Sequence, residues 1–185
     1  MAINSPLVSV VMTTYNHEKY IAEAIDSVLN QTFTNFELII INDGSSDRTD
    51  EIIKSFLHDQ RIVYIHQDNQ GTSIAINNGI LTAKGKYIAL FSGDDICDHQ
   101  RLEKQYSFIS SSNFKYKIVF SGFDVIDDHG NILVDNFLNN WFIQQHKSRT
   151  EIVNLFFFKG NCLNAITAFL EKQLILDIGL FNLTS

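Results

Sequence analysis

The chain has 185 residues, 45% of them hydrophobic, and a formal net charge of −7, which suits one domain with a real core and is short for two. Its 14 Lys and Arg are scattered among 21 Asp and Glu, and this excludes the clustered positive footprint of a nucleic-acid binder. No apolar run approaches membrane-spanning length, and Met1 to Pro6 lack the basic and apolar stretches of a signal peptide, so a soluble cytoplasmic protein is expected.

Val8 to Thr14 (VSVVMTT) is a β-branched run that reads as a strand, and Glu18 to Asn30 places Ile21, Ala24, Ile25, Val28 and Leu29 at helical spacing. The unit then repeats. Phe36 to Ile41 (FELIII) reads as a buried strand and Arg48 to Leu57 as a helix with Ile52, Ile53, Phe56 and Leu57 on one face. A third strand, Ile62 to His66, leads through Asn69-Gln70-Gly71 into a helix from about Ser73 to Ala83. Ala83-Lys84-Gly85-Lys86 turns the chain into a fourth strand, Tyr87 to Phe91. Continuous apolar strands alternating with amphipathic helices predict an α/β sandwich, its central sheet mostly parallel and flanked by helices.

After Asp95 the regularity loosens. A helix from Gln100 to Ser111, a strand from Ile118 to Ile126, a hairpin turn at Asp127-Asp128-His129-Gly130 and a strand from Ile132 to Val134 are predicted. Leu138 to Phe142 (LNNWF) is ambiguous, Thr150 to Phe158 reads as a helix, and Ala165 to Phe169 as a strand entering a helix near Glu171 to Asp177. A single domain spans residues 1–185, with a binding half over 1–98 and a second half over 99–185.

In open parallel sheets the ligand sits beyond the carboxyl ends of the strands. Three loops there are unusually polar: Thr13-Thr14-Tyr15-Asn16-His17, Asn42-Asp43-Gly44-Ser45-Ser46-Asp47 and Ser92-Gly93-Asp94-Asp95. With Ser27 and Gln31-Thr32, Asn69-Gln70-Gly71 and Asn77-Asn78-Gly79, they form six ordered segments between Thr13 and Asp95 that resemble the family 2 glycosyltransferases. The resemblance implies a GT-A fold and a nucleotide-diphosphate sugar, most simply a UDP-sugar, as donor. It also implies a divalent cation, Mn²⁺ or Mg²⁺, a saccharide or glycolipid acceptor hydroxyl, and inversion at the sugar. Surface polysaccharide assembly, with peripheral attachment at the inner face of a membrane, is the family's analogy.

The residues support parts of this independently. Uracil presents an N–H donor between two carbonyls, so a carboxylate at a strand end, Asp43, with Gly44 allowing a tight turn behind it, is a suitable partner. By resemblance, Thr13 and the ring of Tyr15 complete the base site. A plain turn is the competing reading of this loop, and for Asp47 a helix cap is preferred. A hard cation held by carboxylate can bridge diphosphate oxygens, and by resemblance, with Ser92-Gly93-Asp94 aligned on the family's Asp-x-Asp motif, Asp94 is the expected metal ligand and Asp95 its neighbour. Ser92 stands where the family's Asp-x-Asp motif has its first acid. The competing reading of Asp94 and Asp95 is that they cap the following helix.

Other groups carry less. Asp127 to Gly130 is a turn before it is a ligand cluster, and the histidines show no mutual ligand spacing. Trp141, Phe137 and Phe142 are read as packing before an acceptor platform. Cys97 and Cys162 are expected as reduced thiols with no nucleophilic role. Inverting transfer needs a general base, which the family places in a Glu-Asp motif after a segment resembling Ile178-Gly179-Leu180-Phe181. The motif does not occur before Ser185, so a second half incomplete at its C-terminus is expected. Glu171, Asp177 and Asp135 are available but unassigned. A non-catalytic nucleotide-sugar-binding module is the alternative. A dinucleotide oxidoreductase is disfavoured, because no Gly-x-Gly-x-x-Gly follows the first strand.

Overall fold

A computed structural model describes residues 5–134 and 165–181. Strands β1 (Val8–Thr14), β2 (Phe36–Asp43), β3 (Ile62–Gln67) and β4 (Tyr87–Ser92) alternate with helices α1 (Ile21–Leu29), α2 (Thr49–Ser55) and α3 (Thr72–Thr82). Then follow α4 (Arg101–Ser111), β5 (Ile118–Phe120), β6 (Val125–Ile126), β7 (Ile132–Val134), a 3₁₀ turn (Ala165–Thr167), β8 (Ala168–Glu171) and α5 (Lys172–Asp177). The main sheet has the order β3-β2-β1-β4-β8-β5. Its first four strands are parallel, and β8 runs antiparallel to both β4 and β5. The predicted α/β architecture is therefore the observed one.

Alternation along the strands splits the core into two layers, because successive side chains point to opposite faces. Val10, Met12, Leu38, Ile40, Ala89 and Phe91 face α1, α2 and α4. Val11, Ile39, Ile41, Ile88 and Leu90 face α3 and α5. Both faces of β1 and β2 are covered, and every residue of the two strands is buried. Gly79 lets α3 lie close on the sheet: a Cβ there would stand 2.4 Å from Cγ1 of Val11. No described helix is long and apolar enough to cross a membrane.

The predicted strand from Ile118 to Ile126 is corrected. It divides into β5, on the edge of the main sheet, and β6, which pairs with β7 in a separate two-stranded ribbon. Ser121-Gly122 interrupts the apolar run and lets the chain leave one sheet for the other. The turn at Asp127 to Gly130 forms as expected, with Asp127 Oδ1 accepting the N–H groups of His129 and Asn131, each at 2.9 Å. Expectations on Leu138 to Phe142 and Thr150 to Phe158, and on Asp135, Phe137, His146 and Cys162, lie outside the described residues.

Candidate functional site

Strand register brings the three polar loops to one edge. Thr13 pairs with Ile41 on β2 and with Ser92 on β4. Asp43 is the last residue of β2, and Asp94 sits in the turn that follows Ser92, where the Asp95 N–H donates to the Ser92 carbonyl, so the two acids follow the carboxyl ends of the strands on either side of β1. Those strands, β2 and β4, lie two strand spacings apart, about 10 Å. Tyr15, one residue past the end of β1, is 46% exposed between them. Thr13 is buried, and its carbonyl accepts the N–H of Gly93 at 2.9 Å.

Asp43 is the last residue of β2 and only 5% exposed. Its Oδ1 accepts Gln67 Nε2 at 2.7 Å and the Gln70 N–H at 2.9 Å, and its Oδ2 accepts the Gly71 N–H at 2.9 Å. Asn78 Nδ2 in turn donates to Gln67 Oε1 at 2.7 Å. Asp43, the Asn69-Gln70-Gly71 loop and the Asn77-Asn78-Gly79 helix are thus one wired unit, at the N-terminus of α3 where the helix dipole favours negative charge. Gly44, at φ +75, completes the turn, and a Cβ there would come within 2.8 Å of the Asn69 nitrogen. The competing turn reading of Asp43 is realised to this extent. Sequence reasoning singled out the loops but missed the relay through Gln67 and Asn78.

The first and second loops are also joined. Asn16, at φ 56, accepts the Ser46 N–H at 2.8 Å and donates its own N–H to Ser45 Oγ at 3.0 Å. Asp47 accepts the N–H groups of Thr49 and Glu18, both at 3.0 Å. Asp47 therefore braces the start of α2 from one residue before its N-cap, which is Arg48 and not Asp47 as the capping reading had it.

At the end of β4, Asp94 is exposed and Asp95 is half-buried. Burial and then the Asp94 charge push Asp95 up to about 6, against the opposing pull of Arg101. Neither acid caps α4. Its N-cap is Gln100, and the turn leading into it is formed by Asp98, with Oδ1 accepting the Gln100 N–H at 3.0 Å and its carbonyl accepting the Arg101 N–H at 2.9 Å. The capping alternative for Asp94 and Asp95 is thereby removed. Ser92 Oγ donates to Asp94 Oδ1, and His17 Nε2 lies 3.7 Å from Asp94 Oδ2. His17, passed over among the histidines, was marked only by directly following Asn16 in the first loop.

No group of three His, Cys, Asp or Glu gathers at metal-ligand distance among the described residues. The donor set nevertheless fits a hard cation shared with a diphosphate, since Mg²⁺-type sites commonly use one or two carboxylates and take further oxygens from phosphate and water. Two buried polar atoms without partners among the described residues, Thr14 Oγ1 and His17 Nδ1, lie on the loop facing this strand end. Glu171 is removed from the search for a base. It pairs in register with Tyr87, the first residue of β4, and is bound to Lys117, so the length of β4, about 20 Å, separates it from Asp94. Asp177 accepts Gln173 Nε2 at 2.7 Å. Burial raises the Cys97 thiol, which contacts Ser27 and Gln31, an environment that suppresses thiolate chemistry.

Comparisons with known proteins agree on the kind of molecule. The family model described as Glycosyl transferase family 2 matches residues 9–169. An uncharacterized glycosyltransferase of Rickettsia typhi is 34% identical over 181 residues, covering 96% of this chain and 54% of its own. One from Methanocaldococcus jannaschii is 38% identical over 161 residues, covering 85% and 53%. The chain thus spans about half the length of these relatives. Among solved structures, S. aureus TarS 1-349 in complex with UDP superposes with a TM-score of 0.74 at 21% identity, over 95% of this chain and 50% of that one. The mannosyltransferase PcManGT of Pyrobaculum calidifontis, in complex with GDP-Man and Mn²⁺, superposes with a TM-score of 0.68 at 14% identity, over 98% and 49%.

Proposed function

The chain belongs to glycosyl transferase family 2 and has the GT-A fold, and on that premise we propose that it binds a UDP-sugar and passes the sugar to an acceptor hydroxyl with inversion, assisted by Mn²⁺ or Mg²⁺. The observation that carries this reading is the placement of Asp43 and Asp94 at the carboxyl ends of β2 and β4, the two strands that flank β1, with Tyr15 following β1 between them. Asp43 faces the base, Thr13 and Tyr15 complete the base site, and Asp94, with Asp95 beside it, holds the cation. When bound, the cation held by Asp94 would supply positive charge that stabilises the diphosphate leaving group.

Base selection follows from counting acceptors. An ionised carboxylate has about four lone-pair positions, and three of those on Asp43 are taken by Gln67, Gln70 and Gly71. One remains, on Oδ2. A single donor such as the uracil N3–H matches it, whereas the adjacent N1–H and N2–H groups of guanine need two acceptors. This favours UDP, the nucleotide in the TarS complex, over the GDP-sugar in the PcManGT complex. The acceptor is read as a saccharide or glycolipid, and no general base is assigned.

Calorimetric titration with UDP and with GDP, each with and without MnCl₂, tests the reading. UDP should bind more tightly than GDP and gain at least several-fold from Mn²⁺. Asp94→Ala should abolish that gain, and Asp43→Ala should weaken UDP in either buffer. Equal affinity for the two nucleotides would contradict the acceptor count, and unchanged binding in both variants would remove the site. Tight UDP binding with no sugar transfer to any saccharide acceptor would support the donor-binding module instead.

A further inference from the structure

We propose that His17 is a positioning residue for the Asp94 carboxylate, held as its Nε2–H tautomer, and that with Ser92 it sets the orientation which a second acid would otherwise share. The proposal rests on the assignment of Asp94 to the cation. Both carboxylate oxygens of Asp94 face a donor: Ser92 Oγ on Oδ1 and His17 Nε2, at 3.7 Å, on Oδ2. The second separation exceeds an ordinary N–H···O length by roughly 0.8 Å, so it is an approach between the two groups and not a formed hydrogen bond.

The backbone of His17 is fixed. Its N–H donates to Thr49 Oγ1 at 2.9 Å, and its carbonyl accepts the N–H groups of Tyr20 and Ile21 at 3.0 and 2.9 Å as α1 begins. The imidazole is 23% exposed. Its tautomer follows from two facts. Nδ1 is buried without a partner among the described residues, and a proton there would be an unsatisfied buried donor. On Nε2 the same proton faces a carboxylate.

That tautomer also decides between two roles. A metal-bound histidine almost always donates its other ring N–H to a partner, and Nδ1 has none among the described residues. With its proton on Nε2, the ring has no lone pair to offer a cation at that atom. His17 therefore acts on Asp94, not on the metal. Ser92, which by resemblance replaces an acid, donates to the acid that remains, so the strand end substitutes two neutral donors for one negative charge.

The test is a Mn²⁺ titration of the chain with UDP present, followed by the electron paramagnetic resonance of free Mn²⁺, with UDP affinity in the absence of metal measured alongside. His17→Ala should weaken Mn²⁺ about 10-fold, the loss typical of a partner to a metal ligand, and leave metal-free UDP affinity unchanged. His17→Gln, which carries an amide N–H near the Nε2 position, should restore most of it. A loss under twofold in His17→Ala would overturn the proposal, as would an imidazole nitrogen coupling to Mn²⁺ in the electron spin echo of the unaltered protein. Asp94→Ala separates the layers of the argument. If it abolishes Mn²⁺ binding while His17→Ala does nothing, only the positioning role fails, and if it leaves Mn²⁺ binding intact, the metal assignment falls as well.

Discussion

Asp43 has two duties that separate experimentally. Its carboxylate organises the β3–α3 loop through Gln67, Gln70 and Gly71, and by proposal it also reads the base. Asp43→Ala leaves the Gln70 and Gly71 N–H groups without their acceptor in a part-buried turn, so it should lower unfolding free energy by about 2–3 kcal/mol, measured by urea denaturation. Asp43→Asn keeps one oxygen and should fall between. Gln67→Ala removes one bond and breaks the relay to Asn78 while the carboxylate stays. It should cost about 1 kcal/mol and widen the tolerance for GDP, because a second acceptor position opens on Oδ1. Gly93 is the other sensitive position. A Cβ there would lie 2.7 Å from Thr14 Cβ and Oγ1 and 3.0 Å from Ile21 Cδ1. Gly93→Ala should destabilise the fold by about 1–3 kcal/mol through overpacking, visible as a lower urea midpoint, and should weaken Mn²⁺ in the presence of UDP by displacing Asp94.

Elements differ in how openly the sequence declares them. β1 to β4 are legible because each is a continuous apolar run covered on both faces, and α1 because Ile21, Ala24, Ile25 and Val28 share one buried stripe. The sequence starts α1 at Glu18, whereas the helix begins at Ile21, after a tight turn in which the His17 carbonyl accepts the Tyr20 N–H at 3.0 Å. β5 and β6 were merged because their separation depends on which partner strand each finds. Of the site, Asp43, Tyr15 and Asp94 were visible as polar residues at strand ends, while His17 was not, because its meaning lies in a 3.7 Å approach to a residue far away in sequence. Asn77 is the plainest case of a long-range contact hidden in a local motif. Its Nδ2 donates to the Phe181 carbonyl at 3.0 Å, and its Oδ1 accepts the Phe181 N–H at 2.9 Å. This reciprocal pair ties α3 to the Ile178-Gly179-Leu180-Phe181 segment. Asn77→Ala should cost about 2 kcal/mol and speed proteolytic cleavage near Phe181, whereas Asn78→Ala, whose amide turns to Gln67, should leave that cleavage rate unchanged.

Across the whole molecule, the carboxylates that hold α2 and its flanks against the sheet make stability depend on acid. The Lys54 ammonium and the Tyr64 hydroxyl hold Asp50 below the ordinary carboxylate range. Arg61 does the same for Asp59, and it also donates to the Leu29 carbonyl at 3.1 Å, joining the start of β3 to the end of α1. Asp47 is held low by the Thr49 hydroxyl and by the N–H groups of Thr49 and Glu18, against the larger single effect of burial. A group whose folded value lies below its unfolded one stabilises the fold above the unfolded value and loses that contribution as pH falls through the folded one. For these three the loss begins near pH 4 and deepens below it, so their contribution is level from pH 7 to about 5 and then falls. Asp95, pushed up to about 6, separately adds stability as pH drops from 7 to 5. Arg61→Met isolates one of them. At pH 7 it should cost about 1 kcal/mol for the lost bond to the Leu29 carbonyl, together with whatever the Asp59 pair contributes at that pH. Because Asp59 then returns toward its ordinary value, the further loss between pH 5 and pH 3 should be smaller in the variant than in the unaltered chain. Groups that titrate alike in both proteins cancel in that difference, and equal acid losses would show that the Asp59 pair contributes nothing to the linkage.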